Sequence, residues 1–465
     1  MPSTSSFDNL SEVQNKSLLE KGRIVLTLAW PAIVENILQT LVGFVDTLFV
    51  SELGLVEVSA VGITQTILQV YFAVFMAIGV GSTSLIARAI GANNIKEAQK
   101  VAKQSVLLSS WIGILFGLIT LFFAEPILRL MGAEPAVLQQ GTIYFRIVAV
   151  PSIFISLMFG LGSLLRGVGD TVSPMKAGFW MNGIHILLDY VLIFGLGPLP
   201  GFGIVGAAVA TVVSRVVGVA ILWIQLRKSE TNIGKGWSRG WKADRSVLRS
   251  MIQISTPAAI ERLIMRVGQV FYFGLILSLG TYTFAAHQIA GNIEAWSYLP
   301  GYGFAVAAAT LVGQQLGAGR PKDAFSYGWI SAGLCAVIMG FLGVFEFFGG
   351  EWAAHYFTRD ASVIQQVGLA LKIDAFKEIP LAIVLVLTGA LNGAGDTKWP
   401  MISTAIGIWI VRVAGVYLLG IQLEWGLVGI WLAILLDNLW RAVFLGWRFH
   451  SRKWSQTMVK ADFSS

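Results

Sequence analysis

The chain has 465 residues, 55% hydrophobic and only 13% charged, with a mean hydropathy of +0.71. A soluble chain of this length ordinarily divides into domains with about a quarter of its residues charged, so the composition excludes a water-soluble fold and makes lipid the solvent. The net charge of +7 comes with a single cysteine, Cys335, which excludes an internal disulfide.

Residues 1–23 are polar without an apolar h-region, and a cytoplasmic N-terminal segment with no cleaved signal is expected. Apolar runs of the roughly 20 residues that span a bilayer then recur near 24–50, 58–87, 105–127, 142–165, 174–197, 203–226, 250–279, 284–314, 326–349, 367–391, 400–420 and 426–447. The expected fold is an all-α integral membrane protein with twelve transmembrane helices. Its divisions are an N-lobe over 24–226, a cytoplasmic interfacial linker over 227–249 carrying Trp237 and Trp241, a C-lobe over 250–447 and a cytoplasmic tail over 448–465.

The positive charge follows the loops. Lys96, Lys100, Lys103, Arg166, Lys176, the 227–249 stretch, Arg320, Lys322 and Lys398 fall in even-numbered loops, whereas the odd loops are nearly free of base, Arg129 and Arg359 excepted. The positive-inside rule then puts both termini in the cytoplasm of a plasma (inner) membrane protein and accounts for the charge without nucleic acid.

The chain was also built twice. "GVGDTVSPM" at 167–175 returns as "GAGDTKWPM" at 393–401, an offset of 226, and the same offset joins Pro31 to Pro257, Glu35 to Glu261 and Gly54 to Gly280. The two halves of six spans are parallel repeats, a layout that forms a substrate site between rocking lobes. In the repeated turn, glycine permits tight backbone, Asp170 and Thr171 are suited to capping, and Pro174 and Pro400 suit a first helical turn; its expected role is scaffold.

Six-plus-six spans, a proline and glutamate opening each half, "VDTLFVSELG" at 45–54, "LVGQQLGAG" at 311–319 and "RGVGDT" at 166–171 together resemble the multidrug and toxic compound extrusion (MATE) family, closest to its DinF-like branch. The resemblance covers about residues 20–450. It implies two six-helix lobes around a central cleft and a secondary antiporter rather than an enzyme. Such a protein exports organic, cationic or amphipathic compounds in exchange for H⁺, or alternatively Na⁺, and needs no other cofactor.

Ionisable residues inside spans cost about 2.5–3.5 kcal/mol each on insertion scales, so each needs a reason. Glu35 and Glu261 occur in both halves and are expected to bond loosened backbone. Asp46 and Asp189 occur in one half only, since the offset places Tyr272 and Gly415 opposite them. Each lies fifteen residues after a proline, about 22 Å along its helix, which puts both at one depth. Asn182, His185 and Asp189 share a helix face, Gln39 lies on the side of the first span that carries Asp46, and Tyr144 begins the fourth span near the same depth. The resemblance implies that Asp46, Asp189 and Tyr144 form the ion or proton site. His185 stands where the family often has asparagine, and exchanging a carbonyl oxygen for nitrogen favours protons over Na⁺.

In the second half Arg266, Glu294, Asp374, Glu378 and Arg412 are expected to line the cavity or, more simply, to pair with one another. No metal-ligand spacing, P-loop or nucleotide motif is present; His287, His355 and His450 are scattered. The expected partners are small organic compounds, the coupling ion and the bilayer, with a monomer as the working unit. A lipid-linked oligosaccharide flippase of the same superfamily would need a cationic cavity and usually more spans, and an intramembrane prenyl transferase would need clustered aspartates for Mg²⁺. In a Cys335→Ala background, single cysteines at Ser51 or Thr281 should label with an impermeant thiol reagent from outside intact cells, and ones at Asn94 or Ser238 should not; outside labelling at Asn94 would overturn this topology.

Overall fold

The computed structural model describes residues 16–229, 231, 233–234 and 241–456. Expectations for residues 1–15, for Trp237 and for the tail beyond 456 lie outside the described residues. Helix dominates because backbone in lipid must satisfy its polar groups within its own segment. The first half comprises α1 (Leu18–Ser51), α2 (Leu55–Gly91), α3 (Ile95–Leu130), α4 (Pro135–Ala149), α5 (Ser152–Val168), α6 (Val172–Phe194) and α7 (Gly203–Lys228). The second comprises α8 (Arg245–Leu277), α9 (Thr281–Ser297), α10 (Leu299–Gly317), α11 (Pro321–Ala354), α12 (Ala361–Gly393), α13 (Lys398–Ile406) and α14 (Gly426–His450). Two π-helical stretches, Gly407–Val413 and Val416–Gln422, carry the α13 pass onward, and a two-residue hairpin, β1 (Gly195–Leu196) against β2 (Leu199–Pro200), joins α6 to α7.

Helix starts at 55, 95, 135 and 172 recur at 281, 321, 361 and 398, each 226 later. With α4 and α5 as one pass bent by 45°, and α9 with α10 as another, each half makes six. Among the described residues eight single helices, nine passes with the bent pair, are long and apolar enough to cross a membrane. The remaining passes, α8, α9 with α10, and α12, contain the charged residues Glu261, Arg262, Arg266, Glu294, Asp374, Lys377 and Glu378. Helix starts are set by side chains that satisfy the first free amides. Ser17 and Glu20 form a capping box on α1, Asn94 caps α3, Asp244 caps α8 and Asp360 caps α12. Asp244 also pairs with Lys100 at 2.8 Å, and that hydrogen bond holds its carboxyl below the usual carboxylate range.

The halves exchange their opening segments. Val25 and Ala29 of α1 sit in a core cluster with Phe304, Tyr327, Leu387 and Phe449 of the second half. Met251 and Ile254 of α8 sit with Leu164, Leu165 and Leu226 of the first. Each duplicated half therefore needs the other to complete its core, a fold-level reason for one chain to carry both.

Each repeated glycine turn is bonded by a helix of the opposite half. Ser84 Oγ donates to Gly393 O at 3.1 Å, and Arg88 donates to Ala394 O. At the positions 226 later, Thr310 Oγ1 donates to Arg166 O at 2.9 Å and Gln314 Nε2 to Gly167 O at 3.2 Å. These turns are thus more than local scaffold: each is docked onto the opposite half. Gly169 and Gly395 take positive φ values of 97° and 76° to make the bend. Asp170 Oδ1 accepts from Ser173 N at 2.8 Å, as a capping role predicts, whereas Asp396 is held by Arg448 at 2.7 Å. Glycine also sets the approach distance, since a Cβ on Gly91 would collide with Gln314 O and one on Gly317 with Arg88 O. Gly317→Ala should therefore weaken closure at this end. Spin labels at Asn94 and Lys322 in a Cys335→Ala background should report a longer distance distribution than without the substitution, and an unchanged distribution would remove the glycine contact as a constraint on closure.

Candidate functional site

Asp46 is carried by α1 and Asp189 by α6, which pack against each other; the two carboxylates and a nitrogen of His185 lie within 4.8 Å of one another. Asp189 is 1% exposed and Asp46 9%. His185 Nε2 lies 3.3 Å from Asp189 Oδ2, one helical turn along α6, and 3.2 Å from Thr211 Oγ1 on α7. Thr211 spends its own hydroxyl hydrogen on Ala207 O at 2.9 Å, so its oxygen is free only to accept. This arrangement favours the tautomer with the proton on Nε2, donating to Thr211.

Tyr144, fully buried on α4, faces the same group, with its hydroxyl directed toward Thr211 but closing no aligned hydrogen bond. The structure thus brings Asp46, Asp189, His185 and Tyr144 together. Asn182 is buried on the same helix, and its Nδ2 has no hydrogen-bond partner. Gln39 lines a separate pocket with Glu35, Arg166, Pro174 and Met181. Glu35 pairs with Arg166 at 3.3 Å and Glu261 accepts from Thr404 at 3.0 Å, so side chains rather than loosened backbone satisfy both glutamates.

Two members were missed in the sequence, Thr211 and Arg215, both on α7. Arg215 stands near Asp46 and Tyr144, and its Nη1 is buried without an acceptor. The available signal was plain: an arginine inside the sixth apolar run, one turn after a threonine. With both acids ionised, Asp46, Asp189 and Arg215 sum to one negative charge, which a single added cation neutralises.

The second half resolves differently. The expected ionisable residues do not pair with one another; they pair with residues that were not singled out. Lys377, fully buried on α12, contacts Glu294 and stands 2.5 Å from Asp374 and 3.9 Å from Glu378, with Trp431 beneath it at 5.8 Å. Arg412 pairs with Asp437 at 2.7 Å and lies over the Tyr272 ring. Glu378 is therefore buried inside the lobe rather than lining a cavity. Although no ligand spacing is visible in the sequence, folding gathers Glu346, Asp374 and Glu378 within 4.8 Å. His287 packs against Trp431 and Tyr272. Arg266 reaches Gln69 of the first half at 3.0 Å.

A duplicated twelve-pass helical fold with buried charge inside each half and hydrogen bonds between the halves is the architecture of a membrane transporter. The MatE family model matches residues 31–191 and again 257–418, and the chain belongs to that family. It is 33% identical over 440 residues to a probable multidrug resistance protein NorM of Thermotoga maritima, covering 94% of this chain and 93% of the relative. It is 26% identical over 447 residues to an uncharacterised transporter, YisQ, of Bacillus subtilis, covering 95% and 97%. Among solved structures it shares its fold with a MOP-superfamily transporter from Pyrococcus furiosus, at a TM-score of 0.86, 23% identity and coverage of 98% and 100%. An outward-facing multidrug resistance MATE transporter gives 0.86 and 23%, with coverage of 97% and 100%.

Removing one partner of a buried ion pair costs about 3–5 kcal/mol because the other charge is stranded. Lys377→Met should lower the thermal unfolding midpoint in detergent markedly, and adding Glu294→Gln and Asp374→Asn should restore most of it. No recovery in the triple variant would show that Lys377 matters through packing rather than charge.

Proposed function

We propose that the protein is a multidrug efflux antiporter of the plasma membrane that exports amphipathic organic compounds against inward H⁺ by alternating access. One chain supplies both lobes, so a monomer suffices, with residues 24–226 and 250–447 as the moving bodies and both termini in the cytoplasm. The relatives named for multidrug resistance support the cargo class. The interlobe hydrogen bonds from Ser84, Arg88, Thr310 and Gln314 support a conformation closed at the end that carries the basic loops, hence open outward.

The observation that carries the proton assignment is the tautomer of His185. With Nε2–H donated to Thr211, that nitrogen has no lone pair to offer a cation beside Asp189. Two facing carboxylates beside it form a site that one proton neutralises. One proton removes the repulsion between the two carboxylates and leaves a single carboxylate facing Arg215, which is the local change that alters how α1, α6 and α7 pack. Na⁺ remains the competing ion, since carboxylate oxygens within 4.8 Å could also enclose it.

In proteoliposomes with the two gradients imposed separately, wild-type export should follow ΔpH and ignore Na⁺ at constant pH. Asp46→Asn and Asp189→Asn should each abolish gradient-driven export with expression and melting near normal. His185→Asn, which restores a carbonyl oxygen, should weaken the proton dependence and introduce Na⁺ sensitivity. Export driven by Na⁺ alone, unchanged in His185→Asn, would sink the proton assignment; full efflux by Asp189→Asn would reduce the cluster to structure.

A further inference from the structure

Among the described residues, two arginines of the second half contact the first half without an ion pair. Arg262 and Arg266 lie one turn apart on α8, on one helix face, and neither is in an ion pair among the described residues. Their contacts cross to the other lobe: Arg262 Nη1 lies 3.7 Å from Met76 Sδ, and Arg266 Nη2 donates to Gln69 Oε1 at 3.0 Å, with its Nη1 donating to Gln269 Oε1 at 3.1 Å. These partners are a thioether and two neutral amides, which orient the guanidinium groups without neutralising them. Arg266 is exposed and Arg262 half-buried. A guanidinium at this depth is disfavoured in lipid and belongs in a water-filled cavity, and its contacts with α2 place it between the lobes.

The nearby carboxylates are bonded elsewhere. Glu35 is bound to Arg166 and Glu294 to Lys377, and the buried Glu261 accepts from Thr404 between Arg441 and Arg262, so it offsets Arg262 in part and leaves Arg266 as the less compensated of the two. Beside Arg266 stands Tyr298, whose ring meets that of Tyr302 edge-on at 5.7 Å, with Tyr302 42% exposed. Positive charge next to an accessible aromatic ledge is complementary to a molecule with an anionic head and an apolar body, because guanidinium forks match carboxylate, sulfonate and phosphate oxygens.

We propose that Arg262 and Arg266 form an anion-recognising site on the floor of the interlobe cleft, so that the preferred cargo is an amphipathic organic anion rather than a cation. Its apolar part lies along Tyr298 and Tyr302, and its head replaces Gln69 as the partner of Arg266. The fate of the cargo rests on the efflux reading; its binding does not.

Fluorescein as anionic probe and ethidium as cationic probe separate the possibilities, by fluorescence anisotropy on the purified full chain and by ΔpH-driven movement in proteoliposomes. Fluorescein should bind the wild type, more weakly at high salt, and Arg266→Gln and Arg262→Gln should each raise its Kd by about tenfold. Arg266→Lys should keep most of the affinity, ethidium binding should be no weaker in any variant, and melting temperatures should stay level. Binding of ethidium but not fluorescein by the wild type would overturn the proposal and make the cargo a cation. Equal loss of both dyes in Arg266→Gln would overturn it in favour of a contact that merely joins the lobes. Fluorescein that binds through the arginines but is not moved by ΔpH would leave the site standing and remove the efflux reading.

Discussion

Charge in a bilayer has nowhere to go. Water cannot solvate it there, so each ionised side chain inside a pass must find a protein partner, a cavity or a neutralising ion, and this requirement orders the whole molecule. Lys377 is tolerable because Glu294 and Asp374 surround it, and Arg412 because Asp437 meets it at 2.7 Å. Asp46 and Asp189 face one another with a single guanidinium nearby. The second half gathers Glu294, Glu346, Asp374 and Glu378 around one fixed cation, Lys377, while the first sets two acids beside Arg215, so both halves bury more acid than base.

Those unlike clusters are laid over a symmetric scaffold. The offset of 226 that links the glycine turns also links Ser84 to Thr310 and Arg88 to Gln314, the four donors that hold each turn from the opposite half. The contacts that close one end are preserved in both copies, whereas the ionisable groups inside the passes have diverged. Duplication gave the contact two equivalent faces, and substitution gave each half its own cluster of buried acids. The break positions diverged as well: the first half bends its fourth pass between α4 and α5, and the second breaks its second pass at Tyr298, where the chain turns beside Arg266.

Much of this was readable in the sequence because it follows from period and register. Span number, duplication and the depth of Asp46 and Asp189 come from counting residues along helices, and helix geometry is stiff enough for counting to hold. The meeting of His185 with Asp189 is a one-turn spacing and was legible for the same reason. Partners on other helices were not legible. Lys377 sits next to Glu378 in the chain yet belongs to Glu294, 83 residues away, and nothing in a single sequence encodes that approach. Arg215 was overlooked for a simpler reason, being one charge in a long apolar run. The docking of the glycine turns onto the opposite half was hidden because their local chemistry, capping and tight backbone, already accounted for their composition.

The site and the closed end are joined by covalent structure as well as by packing. Asp46 is in the C-terminal part of α1, and the same helix carries Glu35, which holds Arg166 at 3.3 Å. The carbonyl of Arg166 is in turn the acceptor for Thr310 across the lobes. Lower on α1, Ala29 and Ile33 pack against Gly303, where a Cβ would find no room. Between these contacts Pro31 lies inside the helix, removing one backbone hydrogen bond at the point where a helix most readily bends. A rigid rod would carry a shift at Asp46 to the lobe contacts undiminished, and a rod with a proline can instead bend and relieve it. Because Val25 and Ala29 are anchored in the core of the other half, the N-terminal part of α1 is held there, while its C-terminal part carries Asp46 against α6. Charge at one depth and closure at another are therefore properties of a single helix.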